Sequence, residues 1–290
     1  MDPEPGGYFN SSMLFKASLL TIAFTTIYIY RSERRHGFFR HAAAKKDSIV
    51  AAKPPDKLIA KKKKKKTIYF TFDDGPNKGS RNVMAIMNEE QVPATMFVIG
   101  EHVYGSREQM NLWDSLEQNK LFEIANHSYT HAFENRYNKF YSEPDSTVKD
   151  FIRCADSLRL TSNIIRTPGR NIWRTENISS TDLKASAAAA DTLQSKGFKA
   201  VGWDLEWHFT NDQRPVQSDT LLAQEIDSLF AKNRTKTTGH LVILAHDRMF
   251  LGKDDSAALH RLITCLKSRD EYDFETVSKY PGVVKDSTDH

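Results

Sequence analysis

The sequence predicts an α/β fold, a deformed (β/α)7-type barrel of parallel strands, preceded by an N-terminal apolar anchor and a basic linker. Three observations predict it. From Thr67 onward, short apolar runs alternate with amphipathic stretches roughly seven times, the pattern of strand–helix units laid into a parallel sheet. Residues with chemistry to offer recur at the ends of the apolar runs, and that edge is where parallel α/β sheets bind ligands. The head of the chain differs in kind: residues 1–66 hold 15 basic and 5 acidic side chains, residues 67–290 hold 26 and 32.

Strands are expected over 67–72, 94–98, 122–125, 164–166, 200–203 and 240–245, with a last one near 272–277. Helices are expected over 79–90, 107–119, 145–160, 181–196, 218–232 and 255–268, several opening on cap-type residues such as Asp145, Ser218 and Ser256. Residues 17–30 are uncharged and mostly apolar, between Lys16 and the basic Arg31, Arg34 and Arg35. The stretch is shorter than the ~20 residues of a spanning helix, and Met13 to Phe15 lengthen it. Residues 1–30 are therefore read as an anchor or signal segment, with a membrane tether through 13–30. Residues 31–66, ending in six lysines, are read as a disordered linker, and residues 67–290 as the catalytic domain. The charge after the apolar stretch favours a cytoplasmic body. A periplasmic or extracellular body is nevertheless expected from the substrate argued below. The acidic body argues against a nucleic-acid partner. Cys154 and Cys265 form no C-x-x-C pair, so thiolate zinc is not expected; both are read as small buried hydrophobes in helices.

Five strand ends carry the candidate chemistry. Thr71-Phe72-Asp73-Asp74-Gly75-Pro76 closes the first strand. Its two carboxylates belong to opposite sides of the strand and so to different roles, unless the hexapeptide is only a turn. His127-Ser128-Tyr129-Thr130-His131 places two imidazoles four apart. On a helical turn they face one way and can grip one metal, completed by a carboxylate from another strand end. Zinc fits such a set, and cobalt or nickel does too. Arg166-Thr167-Pro168-Gly169-Arg170 offers a guanidinium for a carboxylate and backbone N–H groups near Gly169 for an oxyanion. Trp203-Asp204-Leu205-Glu206-Trp207 puts tryptophans beside carboxylates, which suits a sugar-binding wall. Leu244-Ala245-His246-Asp247 brings an imidazole fit for general acid work.

Together these motifs resemble the NodB homology domain of polysaccharide deacetylases, carbohydrate esterase family four, in a divergent, bacterial-type member. TFDDG at 71–75, HSYTH at 127–131, RTPG at 166–169, WDLEW at 203–207 and LAH at 244–246 stand in that family's order. The resemblance implies a metal-dependent hydrolase that removes acetyl groups from N-acetylated, GlcNAc-type polysaccharide or oligosaccharide. It implies a divalent metal, Zn2+ first and Co2+ or Ni2+ as alternatives, on Asp74, His127 and His131. It further implies Asp73 as base, Arg166 as its partner, His246 as acid, and Gly169 as oxyanion donor. Leu244 and Trp207 would form the acetyl pocket, and Asp204 or Glu206 would tune His246 or contact Arg166. Two departures stand out. The family's tyrosine in the third motif is Gly169 here, with Trp173 a candidate replacement, and the fourth motif is compressed. A metal amidase acting on a non-sugar amide and a catalytically silent carbohydrate-binding domain are the alternatives.

Overall fold

The computed structural model describes residues 64–283. The expected anchor and nearly all of the expected linker lie outside the described residues. Among the described residues no helix is long and apolar enough to cross a membrane.

The strands are β1 (Lys66–Gly75), β2 (Ala94–Val98), β3 (Phe122–Asn126), β4 (Ile164–Ile165), β5 (Ile172–Arg174), β6 (Ser179–Thr181), β7 (Lys199–Ala200), β8 (Leu205–Glu206), β9 (His240–His246) and β10 (Tyr272–Phe274). They form one sheet in the order β6-β5-β7-β4-β3-β2-β1-β9-β8, with β10 paired to the first residues of β1. The helical segments are α1 (Ser80–Glu90), α2 (Gly100–Val103), α3 (Arg107–Glu117), α4 (His131–Asn135), α5 (Tyr137–Ser142), α6 (Pro144–Leu158), α7 (Ala187–Ser195), α8 (Asp219–Ala231) and α9 (Lys253–Lys267). Lys65 and Lys66, expected in the linker, are already part of the fold. Lys66 opens β1, and Lys65 pairs with Asp270 at 2.7 Å.

β1 is a near-continuous apolar run because both of its faces are covered, as parallel strands require. Ile68, Phe70 and Phe72 pack against Val83 and Met87 of α1 and Leu262 of α9. The alternate face converges: Tyr69, Phe97, Ala125, Ile164, Trp173, Val201 and Val242 meet in one cluster. Residues from so many successive strands can share one cluster only if the sheet curls around it.

The curl does not complete the expected all-parallel barrel. The end strands β6 and β8 are not paired to each other, and β5 runs antiparallel to both β6 and β7. The reason lies between Arg166 and Trp203. The turn at Pro168-Gly169 sends the chain back through Asn171 into β5, and Asn171 and Trp173 lie against the backbone that would extend β7. Asn171 Oδ1 accepts from the Trp203 N–H at 3.1 Å and from Trp173 Nε1 at 3.0 Å. The expected strand 200–203 is thereby cut to Lys199–Ala200. The expected helix 181–196 starts only at Ala187, because Ser179–Thr181 pairs with β5. Cys154 is buried as expected, and its thiol is pushed up to about 12 by burial; Cys265 is exposed instead, and both are free.

Asp247, directly after β9, ties the turn following β1 to the end of β9. Its fully buried carboxylate is hydrogen-bonded by Asn77 Nδ2 and Ser80 Oγ. Gly79 permits this contact, since a Cβ there would stand 1.9 Å from the Asp247 carbonyl oxygen. Burial, reinforced by the Asp74 charge, pushes the Asp247 carboxyl up to about 7. As pH rises from the ordinary 3.8 to about 7, the unfolded chain gives up a proton that the folded chain keeps, so folding loses stability over that window. Asp247→Asn keeps a neutral amide in the same place. Its stability relative to wild type should rise across the window, by roughly 1.4 kcal/mol per pKa unit, and level off above it. Denaturant unfolding in chelator at a series of pH values checks this, and a difference independent of pH would contradict it.

Candidate metal centre and active-site cleft

The strand ends of β1, β3 and β9 and the loops after β4 and β7 enclose a cleft of about 540 Å³. Asp73, Asp74, His127, His131, Gly169, Glu206, Leu244 and His246 all line it. Residues drawn from five separate motifs are thus brought together. Asp204 and Trp207 are not among its walls.

Asp73 and Asp74 face the same mouth, against the expectation from strand alternation. The register of β1 on β2 shifts between Asp73 and Gly75, and Asp74 takes a left-handed φ of 70°. Such a bulge re-aims one side chain. His127 Nε2 consequently lies 3.7 Å from Asp73 Oδ2 and 3.4 Å from Asp74 Oδ1.

The two histidines do not share a right-handed turn. His127 follows β3 directly, and residues 131–135 all have positive φ, making α4 a left-handed turn. That turn brings His131 Nε2 to 3.3 Å from Asp74 Oδ1. His127 Nδ1 donates to the Arg166 carbonyl at 2.9 Å, and His131 Nδ1 meets Asn135 Oδ1 at 2.6 Å. Because each Nδ1 faces an oxygen acceptor, each Nε2 is left to offer its lone pair to the cleft.

Asp74, His127 and His131 form one of two groups among the described residues with metal-ligand spacing, their donor atoms within 4.8 Å of one another. Burial alone would raise the Asp74 carboxyl, but His127, His246 and His131 hold it well below the ordinary range. Burial pushes His131 down to about 4. His127 is raised, because Asp73 and Asp74 outweigh its burial. The cluster therefore draws positive charge toward itself, which a divalent cation would supply while displacing the His127 proton. Asp74 Oδ1 is buried and has no hydrogen-bond partner among the described residues. One carboxylate oxygen and two imidazole nitrogens are the donor set of an open zinc site. The second group, Glu89, Glu90 and His260, lies at the surface, and Lys267 already sits 2.8 Å from Glu90.

Each carboxylate has its own arginine. Arg166 is fully buried and donates to Asp73 Oδ1 at 2.9 Å, to Thr71 Oγ1 at 2.6 Å, and to the carbonyls of Gly202 and Val201. Arg248, which the motifs did not single out, reaches Asp74 Oδ2 at 3.1 Å and lies over the Phe209 ring. Phe209 in turn packs edge-on against His246, with ring centroids 4.7 Å apart. His246 Nε2 is 3.8 Å from Asp74 Oδ2, and burial lowers the pKa of the ring.

The fourth motif divides. Asp204 turns away and accepts from the backbone N–H groups of Lys236 and Val242 at 2.6 and 2.8 Å. Burial raises its carboxyl to about 6. Glu206 stays in the cleft, 3.4 Å from His208 Nδ1. Trp207 is shut in the core with Nε1 on the Gln217 carbonyl, and Trp203 lines the cleft instead.

Trp173 does not stand in for the missing third-motif side chain, being fully buried. Tyr137 of α5 does. A Cβ at Gly169 would meet the Tyr137 ring at 2.7 Å, and Gly169 has a φ of +63°. Tyr137 donates to Asn135 Oδ1 at 2.8 Å and so buttresses His131 as well. No spacing in the sequence signals this, because the residues at 137 and 169 meet only through the fold.

Residues 60–175 match the family model described as polysaccharide deacetylase. The chain is 27% identical to a chitin disaccharide deacetylase of Vibrio alginolyticus, covering 49% of this chain and 47% of that protein. It is 30% identical to a chitooligosaccharide deacetylase of Bradyrhizobium sp., covering 48% and 57%. The chain spans about half the length of these curated relatives. Among solved structures, a Streptococcus mutans CE4 esterase matches with a TM-score of 0.54 at 18% identity, covering 73% of this chain and 86% of that one. The catalytic domain of a peptidoglycan N-acetylglucosamine deacetylase from Eubacterium rectale matches with a TM-score of 0.53 at 20% identity, covering 75% and 91%. These structural likenesses establish the fold.

The Tyr137–Gly169 contact predicts a coupling. Gly169→Ala should destabilise the protein through both the left-handed φ and the collision. In a Tyr137→Ala background only the φ cost, about 1 kcal/mol, should remain. A double-mutant cycle by denaturant unfolding should therefore show a coupling of about 1–3 kcal/mol, and additive effects would refute the contact.

Proposed function

We propose that the chain, whose residues 60–175 match the polysaccharide deacetylase family model, is a deacetylase of the NodB, carbohydrate esterase family four type, a metal-dependent hydrolase that removes acetyl groups from N-acetylated glycans of the GlcNAc type. The observation that carries this reading is the convergence of Asp74, His127 and His131 beside an arginine-held Asp73 in one open cleft.

Asp74, His127 and His131 would hold a divalent cation, which supplies a Lewis acid for the acetyl carbonyl and acidifies water. Asp73 is the base. Arg166 occupies Oδ1 and leaves Oδ2 toward the cleft. In that position Oδ2 takes the proton of the attacking water. Gly169 lines the cleft and offers its N–H to the oxyanion. His246 gives a proton to the departing nitrogen, and its lowered pKa makes the protonated ring a ready donor. Leu244 and Trp203 wall the acetyl group, in place of the expected Leu244 and Trp207. The curated relatives are named for chitin-derived oligosaccharides, and such oligomers are the first substrates to test. A cell-wall or extracellular glycan also requires export of the domain, so external protease should digest it in spheroplasts, and protection would contradict export.

Purified protein should release acetate from N-acetylglucosamine oligomers. Chelator should abolish the release, and zinc or cobalt should restore it. Asp73→Asn should lower kcat by about 10²–10⁴-fold, the contribution of a positioned base, with cation affinity by calorimetry unchanged. A variant as active as wild type would refute Asp73 as base, and no release from any acetylated sugar would refute the hydrolase reading.

A further inference from the structure

A second depression of about 370 Å³ adjoins the cleft and shares Asn135 and Tyr137 with it. Its remaining walls are Arg136, Asn138, Lys139 and Arg170, so three of its six lining residues are cations and none is acidic. The body of the chain has an acidic balance, and its other arginines are commonly matched to carboxylates. Arg174 pairs with Asp191 at 2.8 Å, Arg261 with Asp219 at 2.8 Å, and Arg269 with Asp227 at 2.6 Å.

In the depression, backbone carbonyls hold the guanidiniums instead. Arg170 Nη1 donates to the Gly169 carbonyl at 2.7 Å, and Arg136 Nε donates to the Phe133 carbonyl at 2.6 Å. A carbonyl orients a guanidinium without cancelling its charge. Glu134 approaches Arg136 only at 4.0 Å, with its own side chain 78% exposed. Arg170 Nε is buried and has no partner among the described residues, and the guanidinium lies 5.7 Å from the Tyr137 ring centre. Arg170 also follows Gly169, the residue offered to the acetyl oxyanion, so the depression begins one residue from the reacting group.

We propose that this depression is an anion subsite that takes a carboxylate on the sugar next to the one deacetylated, and that the preferred substrate is an acidic glycan and not a neutral one. The inference rests on the deacetylase reading above. Tyr137 separates the two chambers, so one sugar would lie on each side of its ring, with the acetyl group toward Asp73 and the carboxylate toward Arg170, Arg136 and Lys139. Planar guanidiniums suit a carboxylate, and the exposed position makes the attraction sensitive to salt.

The test compares three acetylated tetrasaccharides: neutral N-acetylglucosamine tetramer, an alternating N-acetylglucosamine–uronic acid tetramer, and an alternating N-acetylglucosamine–N-acetylmuramic acid tetramer. The last two distinguish a ring carboxylate from a lactyl one. Wild type should favour one acidic tetramer over the neutral one in kcat/KM by roughly tenfold, the worth of one charge-assisted pair. The preference should lie in KM and shrink as salt is added. R136Q/K139Q, which alters two exposed side chains, should bring the ratio close to one. Equal kcat/KM of wild type for neutral and acidic tetramers, or an unchanged ratio in the double variant, would overturn the subsite. Equilibrium binding of the acidic tetramers in chelator separates the two claims. Tenfold weaker binding by R136Q/K139Q supports the subsite even if no acetate is ever released, and equal binding sinks it.

Discussion

The site depends on one buried ion pair. Arg166 lies wholly inside the curl of the sheet, over the Phe97 ring and 2.9 Å from Asp73. A charge in such a place is costly unless it is paired and its protons are satisfied. Here Nη1 donates twice, to Asp73 and Thr71, while Nη2 and Nε donate to the carbonyls of Gly202 and Val201. The pair thus joins β1, the end of β4 and the segment after β7. It also decides which oxygen of Asp73 is free. Loss of either partner would leave a bare charge in the core, so the contact that orients Asp73 also holds the sheet's mouth together.

A second constraint is backbone strain at the metal cluster. Five successive residues, His131 to Asn135, are left-handed without a glycine among them, at about 1–2 kcal/mol each. Local hydrogen bonds offset part of this cost. Asp150 on α6 accepts from the N–H groups of Tyr129 and Thr130 and from the Thr130 hydroxyl. Ser128 and Thr130 accept from the N–H groups of Ala132 and Phe133. The left-handed turn aims His131 at Asp74 and sets Asn135 behind it as the acceptor that fixes its tautomer. Helix α6 is therefore part of the site through Asp150, although it supplies no wall of the cleft.

What was legible in the sequence follows the range of the forces involved. The long strands β2, β3 and β9 and helices α1, α3, α6, α8 and α9 are strongly patterned and lie within a residue or two of expectation, while β1 runs three residues past its expected end. Asp73, Asp74, His127, Arg166 and His246 were legible because they stand at or just past the ends of parallel strands, which meet at one edge, and His131 because it follows His127 by four residues. The two- and three-residue strands β5, β6 and β8 were not, since so few residues carry no period. The direction of Asp74 was also hidden, because strand alternation holds only up to the bulge. Asp204 and Glu206 both stand in the fourth motif, yet the Asp204 carboxylate satisfies two backbone N–H groups. Trp207 and Trp203 exchanged places for a related reason: two residues that flank a short strand are sorted by packing, which letters alone do not reveal.

Arg248 and Tyr137 show how the chain departs from its own motifs without losing their chemistry. With a dication bound, Asp73 and Asp74 would cancel its charge, and Arg166 and Arg248 would stand against Glu101, Glu134 and Glu206 on the cleft wall. At the other wall, Gly169 has no side chain, and the Tyr137 ring occupies the space a Cβ would need. An aromatic that arrives from α5 and not from the third motif is attached to a different segment, the one that also carries Asn135, Arg136 and Lys139. Substituting the source of the wall therefore changes what lies behind it. Asp74, His127 and His131 come from the motifs, while the depression behind Tyr137 is built mainly from Asn135, Arg136, Asn138 and Lys139, which the motifs do not include.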